Sequence, residues 1–160
     1  RAFALVQQRY PEARLTVAHD GVCRPALERL AGELGLRQVN FTGCVPPAQA
    51  AELYDAADIY LMSPQVDCMP LTVLECFAAG LPVVTTAVGG VPFMVTHERT
   101  GLLVRPNDHA GLAACAFRLL EDPDLVERLT DNARQELERY GADRVRARWV
   151  ALYRELLARR

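Results

Sequence analysis

The sequence contains no lysine, and all 18 of its basic side chains are arginine. Schiff-base chemistry and a lysine-held phosphate are therefore excluded. The arginines are scattered along a chain of net charge −2, so no positive stripe is available to track a nucleic-acid backbone or an anionic membrane surface. Long apolar runs are missing as well. No stretch approaches the roughly 18 apolar residues that a membrane-spanning helix needs, and no basic-then-apolar leader precedes the body of the chain. The five cysteines, Cys23, Cys44, Cys68, Cys76 and Cys115, are odd in number and form no C-x-x-C pair. That argues against a disulfide framework and a zinc site and points to a reducing compartment. Internal repeats and low-complexity linkers are absent.

What is present is apolar patterning. About half of the 160 residues are apolar (51%), enough for one domain with a core of its own, since single domains cluster at roughly 100–150 residues. Short aliphatic or β-branched runs stand at 13–18, 39–43, 58–63, 82–87 and 100–104. Amphipathic stretches at 24–34, 47–56 and 71–79 separate them. Strands alternating with helices at this rhythm predict βαβ units, and hence a doubly wound, Rossmann-like parallel sheet covered on both faces. From 107 to 160 the chain reads as a helical cap, with starts at Asn107-Asp108, Asp122-Pro123-Asp124 and Gly141-Ala142-Asp143. Two stripes at helical spacing, Leu125, Leu129, Ala133 and Leu137, then Val145, Trp149, Leu152 and Leu156, are both expected to face the core. The chain opens on Arg1, in what already reads as a helix, so it is expected to be part of a longer protein.

The segment "SPQVDCMPLTVLECFAAGLPVVTTAVGG", residues 63–90, follows an apolar strand. Pro70 suits the first turn of a helix, because its missing N–H would be unpaired there, and Leu71 to Ala79 are good helix formers. Leu71 and Thr72 then offer unpaired N–H groups at the positive end of the helix dipole, at the C-terminal edge of a parallel sheet. Phosphate is the expected occupant of such a helix start. Asp67 lies just before the helix and Glu75 just over one turn inside it. Carboxylates repel a bare anion but accept hydrogen bonds from vicinal hydroxyls. One could grip a ribose and the other a hexose across a diphosphate. Taken alone, two such acids in an arbitrary sequence read as a loop carboxylate and a solvated helix residue.

Their surroundings decide between these. Ser63, Asp67-Cys68-Met69-Pro70-Leu71, "VLECFAAGLPVVTT", "GGVP" at 89–92 and "TGLLV" at 100–104 stand in order, with "YPEARLTVAHDG" and "VNFTGCVPPAQAAELYDAADIYLMSP" upstream. This set resembles the C-terminal, donor-binding domain of GT-B glycosyltransferases of family 4, across nearly the whole chain. The resemblance implies a retaining transferase that takes a sugar from a nucleotide-diphosphate sugar to an acceptor hydroxyl, with no metal or other cofactor. It implies that Asp67 contacts the transferred sugar and that Glu75 binds the ribose. Backbone N–H groups near Met69, Leu71 and Thr72 would face the sugar or diphosphate, with Pro70 among the donor-binding residues, Cys44 and Val45 would lie against the nucleobase, and Gly21 would border the donor. The family's first C-domain strand, its diphosphate-neutralising Arg and Lys, and its acceptor-binding N-terminal domain would all precede residue 1. Loss of that central strand is expected to leave "ARLTVA" and "DIYLMS" apart or mispaired.

Several positions depart from the family pattern. Asp67 replaces the commoner Glu, His19 stands where a glycine is usual, and Phe93 follows Pro92 where many members have Glu. His97 and His109 are read as structural. Cys68 and Cys76 lack the positive surroundings of a reactive thiolate. The alternatives are a non-catalytic nucleotide-sugar-binding module, or a sugar-nucleotide epimerase on the same scaffold, for which no acid–base motif is visible. A nicotinamide-binding domain is disfavoured because "AHDGVC" is not G-x-G-x-x-G. A cytoplasmic location is expected, with peripheral attachment at the inner membrane face open for the full-length protein.

Overall fold

The computed structural model describes residues 1–159. Helix α1 (Ala2–Arg9) is followed by β1 (Leu15–Ala18), α2 (Arg24–Glu33), β2 (Val39–Gly43), α3 (Pro47–Asp55), β3 (Tyr60–Met62), α4 (Leu71–Ala79), β4 (Val83–Thr86) and β5 (Leu102–Val104). Three helices close the chain: α5 (His109–Glu121), α6 (Pro123–Leu137) and α7 (Ala142–Ala158). The expected α/β alternation is present, and α5, α6 and α7 make the chain mostly helical from 109 to 158, residue 160 alone lying outside the described residues. No described helix is long and apolar enough to cross a membrane.

The strands form two parallel sheets, β1-β2 and β3-β4-β5. Strand β4 is central in the larger one, with Val83 opposite Tyr60 and Val84 opposite Leu102. All four of its residues are buried, as a β-branched run covered on both faces should be. Val83 packs with Val73, Cys76 and Phe77 of α4 on one face. Val84 packs with Leu112, Cys115 and Leu119 of α5 and Leu129 of α6 on the other. Burying a side chain such as Phe77 contributes about 1.5–3 kcal/mol, so these two layers fix where α4 begins.

Strands β1 and β3 do not pair with each other. Leu15 of β1 and Leu61 and Met62 of β3 instead line a cavity of about 310 Å³, together with Phe3 and Leu112. The β1-α2-β2 unit is correspondingly loose: α2 has no buried residue, and β1 alternates between half-buried and exposed. Helix α1 joins it to the rest through Phe3 and Val6, which pack on Ala113 and Ala116 of α5.

The cap begins where the sequence placed it. Asp108 accepts the Gly111 N–H at 2.7 Å and Asp122 the Leu125 N–H at 2.9 Å, so each satisfies an orphan donor of its helix. Leu125, Leu129 and Ala133 are buried and Leu137 packs against the core. The second stripe is corrected by the structure: Val145, Trp149, Leu152 and Leu156 are all exposed, Trp149 at 54%. Helix α7 buries none of its residues. Helical periodicity reports that one face is apolar, not that a partner for it lies in the same chain.

Candidate functional site

The C-terminal ends of β3 and β4 converge on the loop 63–70 and the start of α4. Pro70, buried, has extended backbone (φ −67°, ψ 111°) and offers no side-chain cap. Val73 N–H turns back to the Pro70 carbonyl at 3.1 Å. Among the described residues nothing accepts from the N–H groups of Leu71 and Thr72. At its far end α4 stops on Gly80, which is left-handed at φ 70°, with Leu81 N–H closing onto the Cys76 carbonyl at 2.9 Å. Both ends of the helix are thus set by local sequence.

The loop itself is held at three points. The Thr86 hydroxyl donates to the Pro64 carbonyl at 2.7 Å, and Gln65 Nε2 donates to Asn107 Oδ1 at 2.5 Å. Gly90 N–H donates to the Asp67 carbonyl at 3.0 Å. The Gly89-Gly90 turn lies so close to the loop that a β-carbon on Gly89 would overlap the Asp67 carbonyl oxygen, and one on Gly90 the Cys68 carbonyl oxygen. Glycine is required here by proximity, and at Gly89 also by its φ of 50°.

Asp67 and Glu75 flank this helix start in different states. Asp67 is half-buried and its Oδ1 accepts the Met69 N–H at 3.1 Å. That local turn is typical of a short carboxylate, and it engages the one N–H of the expected set that lies outside the helix. Glu75 is exposed, and its Oε2 accepts from the Tyr54 hydroxyl at 2.8 Å. Tyr60 stands edge-to-face with Tyr54 at 6.2 Å and donates its hydroxyl to Thr72 Oγ1 at 3.0 Å. Two tyrosines, from α3 and β3, therefore hold two residues of the first turns of α4. Burial, then the bond to Glu75, pushes the Tyr54 phenol far above its ordinary value, so it remains a donor throughout the neutral range. Cys76, next to Glu75, is buried and its thiol is pushed up to about 12, which makes it inert. Among the described residues no arginine side chain hydrogen-bonds to residues 63–75, and no group of three His, Cys, Asp or Glu side chains converges.

The chain belongs to the glycosyl transferases group 1 family. The model of that family matches residues 1–136. A D-inositol 3-phosphate glycosyltransferase from Corynebacterium urealyticum is 35% identical over 164 residues, covering 98% of this chain and 39% of that protein. Sucrose-phosphate synthase from Thermosynechococcus elongatus superposes with a TM-score of 0.85 at 30% identity, over 99% of this chain and 42% of that one. HepE from Anabaena, in complex with UDP-glucose, superposes at 0.77 with 22% identity, over 84% and 38%. The chain thus spans about two fifths of these longer proteins, and its α/β architecture is that of GT-B glycosyltransferases.

In this group 1 fold the edge of the smaller sheet carries the remaining predicted positions. Cys44 is exposed and Val45 half-buried, directly after β2. Gly21 N–H donates to Asp20 Oδ1 at 2.8 Å, and Gly21 lines a second cavity of about 230 Å³ with His19, Asp20 and Arg24. His19 adopts φ 81°, a region that L side chains avoid and glycine enters freely. Its Nδ1 lies 3.8 Å from Cys44 Sγ. His19→Gly is expected to raise stability by about 1 kcal/mol, the strain of a left-handed non-glycine less the entropy glycine costs. Urea unfolding of the full-length protein checks this, and a loss of stability would show that the Cys44 contact outweighs the strain.

Sequence reasoning missed Tyr54 and Tyr60. Both stand in "AELYDAADIY", but hydrogen bonds reaching 21 and 12 residues along the chain leave no periodic trace. The one available signal was two aromatics bracketing a tight helix-to-strand turn.

Proposed function

We propose that this chain is the donor-binding part of a retaining, family 4 glycosyltransferase that moves a sugar from a nucleotide-diphosphate sugar to an acceptor hydroxyl in glycan, polysaccharide or glycolipid synthesis. The observation that carries the reading is the uncapped start of α4, with two unpartnered N–H groups, flanked by Asp67 and Glu75 at the C-terminal edge of a parallel sheet. Such a helix start stabilises the diphosphate in the ground state and, more strongly, the charge that accumulates on it as the glycosidic bond breaks. The exposed carboxylate of Glu75 accepts from the ribose hydroxyls. Asp67, its backbone clamped by Gly90, presents its second oxygen to the transferred sugar. Met69, Pro70, Leu71, Thr72 and Gly21 border the donor, and Cys44 and Val45 lie against its base from the smaller sheet.

In this reading a donor phosphate oxygen takes the acceptor proton during front-face attack. No side chain of this chain then acts as a nucleophile, Asp67 is a positioning group, and no metal or cofactor is needed. Acceptor recognition and the basic pair on the diphosphate belong to the part of the protein outside this chain, as does any peripheral attachment at the inner membrane face of the cytoplasm. The test is a screen of the full-length protein against UDP-, GDP- and ADP-sugars, following nucleoside diphosphate release and the product anomer by NMR. One nucleotide class turned over with retention is expected. An inverted product rejects the mechanism, and binding of none rejects the assignment.

A further inference from the structure

We propose that Tyr54 is the positioning residue that presents the Glu75 carboxylate to the donor, which rests on the reading of Glu75 as the ribose-binding group. Glu75 is an exposed side chain with three rotatable bonds on the outer face of α4. Left alone it would sample many rotamers, and a ligand would have to order it at an entropic cost. Tyr54 removes that freedom. Its hydroxyl donates to Oε2 at 2.8 Å, while Oε1 has no partner among the described residues. An ionised carboxylate has about four acceptor positions on its two oxygens, so one oxygen is anchored and the other is left for a pair of vicinal hydroxyls.

The anchor is itself rigid. The Tyr54 ring is half-buried, packs against the core beneath α4, and stands edge-to-face on Tyr60 with ring planes at 76°. Tyr60 is fixed in turn by its bond to Thr72, one turn before Glu75 on the same helix. Supporting groups whose own rotamers are locked are what hold a binding residue within productive geometry. The raised pKa of the Tyr54 phenol keeps the donor proton in place across the pH range of an assay. Among the described residues the Tyr54 hydroxyl hydrogen-bonds to Glu75 and not to the helix start or Asp67, so the influence of that hydroxyl on the donor runs through Glu75.

The test uses the full-length protein as wild type, Tyr54→Phe, Glu75→Gln and the double variant. Each is titrated calorimetrically with UDP, GDP and ADP and with the 2′,3′-dideoxy counterpart of whichever nucleotide binds. Phenylalanine keeps the ring and its packing, and thermal melts report whether the fold is retained. Tyr54→Phe should weaken the ribonucleotide about 10-fold, the scale of one hydrogen bond to a charged group. It should leave the dideoxy nucleotide unchanged and add nothing in the Glu75→Gln background. Equal weakening of both nucleotides, additivity with Glu75→Gln, or tighter binding of the ribonucleotide would each overturn the proposal. Glu75→Gln keeping the wild-type preference for the ribonucleotide sinks the reading of Glu75 and this inference with it. Loss of that preference in Glu75→Gln but not in Tyr54→Phe sinks the inference alone. Binding of no nucleotide sinks both.

Discussion

Glu75→Ala in the full-length protein should lower kcat/KM for the nucleotide sugar about 100-fold while leaving the fold intact. A hydrogen bond to a charged group contributes about 1.5–3 kcal/mol, and a vicinal diol offers two of them to one carboxylate. Competition from water at an exposed position reduces the pair to about 3 kcal/mol, which is about two decades in rate or affinity at 1.4 kcal/mol each. The ribose does not change during glycosyl transfer. The lost interaction is therefore shared by ground and transition states, and most of the effect should fall on KM. Alanine is the better helix former, which opposes the loss of the Tyr54 bond, so melting temperature should move little. Steady-state kinetics with a thermal melt separates the two quantities. Wild-type turnover in the variant would sink the assignment of this site.

Much of the frame around Glu75 is legible in the amino-acid order, because the signals involved are local. Asp108 and Asp122 cap the helices they precede, Pro70 opens α4 and Gly80 closes it. The span 71–79 coincides with α4, and the β-branched run at its end is the fully buried β4. Each of these rests on a backbone preference of one or two residues. The two acids stand out for another reason: the motif around them resembles that of a known family, from which Asp67 departs, whereas neither acid departs from ordinary loop and helix preferences taken alone.

What was not legible is tertiary. The stripe Val145, Trp149, Leu152 and Leu156 has the same periodicity as Leu125, Leu129 and Ala133, yet only the second is buried. The difference lies in what stands opposite each helix, and periodicity carries no information about that. The Asp67 carboxylate, expected to face the donor, spends one oxygen on its own loop. A glutamate, one methylene longer, is less suited to a turn of that size, so in the proposed reading aspartate leaves one oxygen rather than two free for the sugar. Tyr54 and Tyr60 are not legible because their bonds to α4 link residues far apart in sequence, while their rings also pack against the core.

Gly90→Ala should be the most damaging single methyl group in the chain. Gly90 has φ −86°, so alanine meets no backbone penalty there and the whole effect is steric. The added β-carbon would overlap the Cys68 carbonyl oxygen and sit 2.7 Å from its carbon. Both atoms are backbone, and neither can rotate away. The segment Asp67 to Met69 must shift, which breaks the Gly90 N–H bond to the Asp67 carbonyl. Overpacking of this kind costs about 1–3 kcal/mol. Function should suffer more than stability, because the displaced segment carries Asp67 and leads directly into the helix start, where a misplacement of about 1 Å can cost about 100-fold in rate. Gly32→Ala is the control, since nothing lies within 4 Å of a β-carbon there, and it should leave activity unchanged. Measured together in the full-length protein, the variants should differ in kcat/KM by about two decades. If Gly90→Ala retains wild-type melting and turnover, the loop is free to move away from the Gly89-Gly90 turn, and the close approach of the two segments does not hold Asp67 in place.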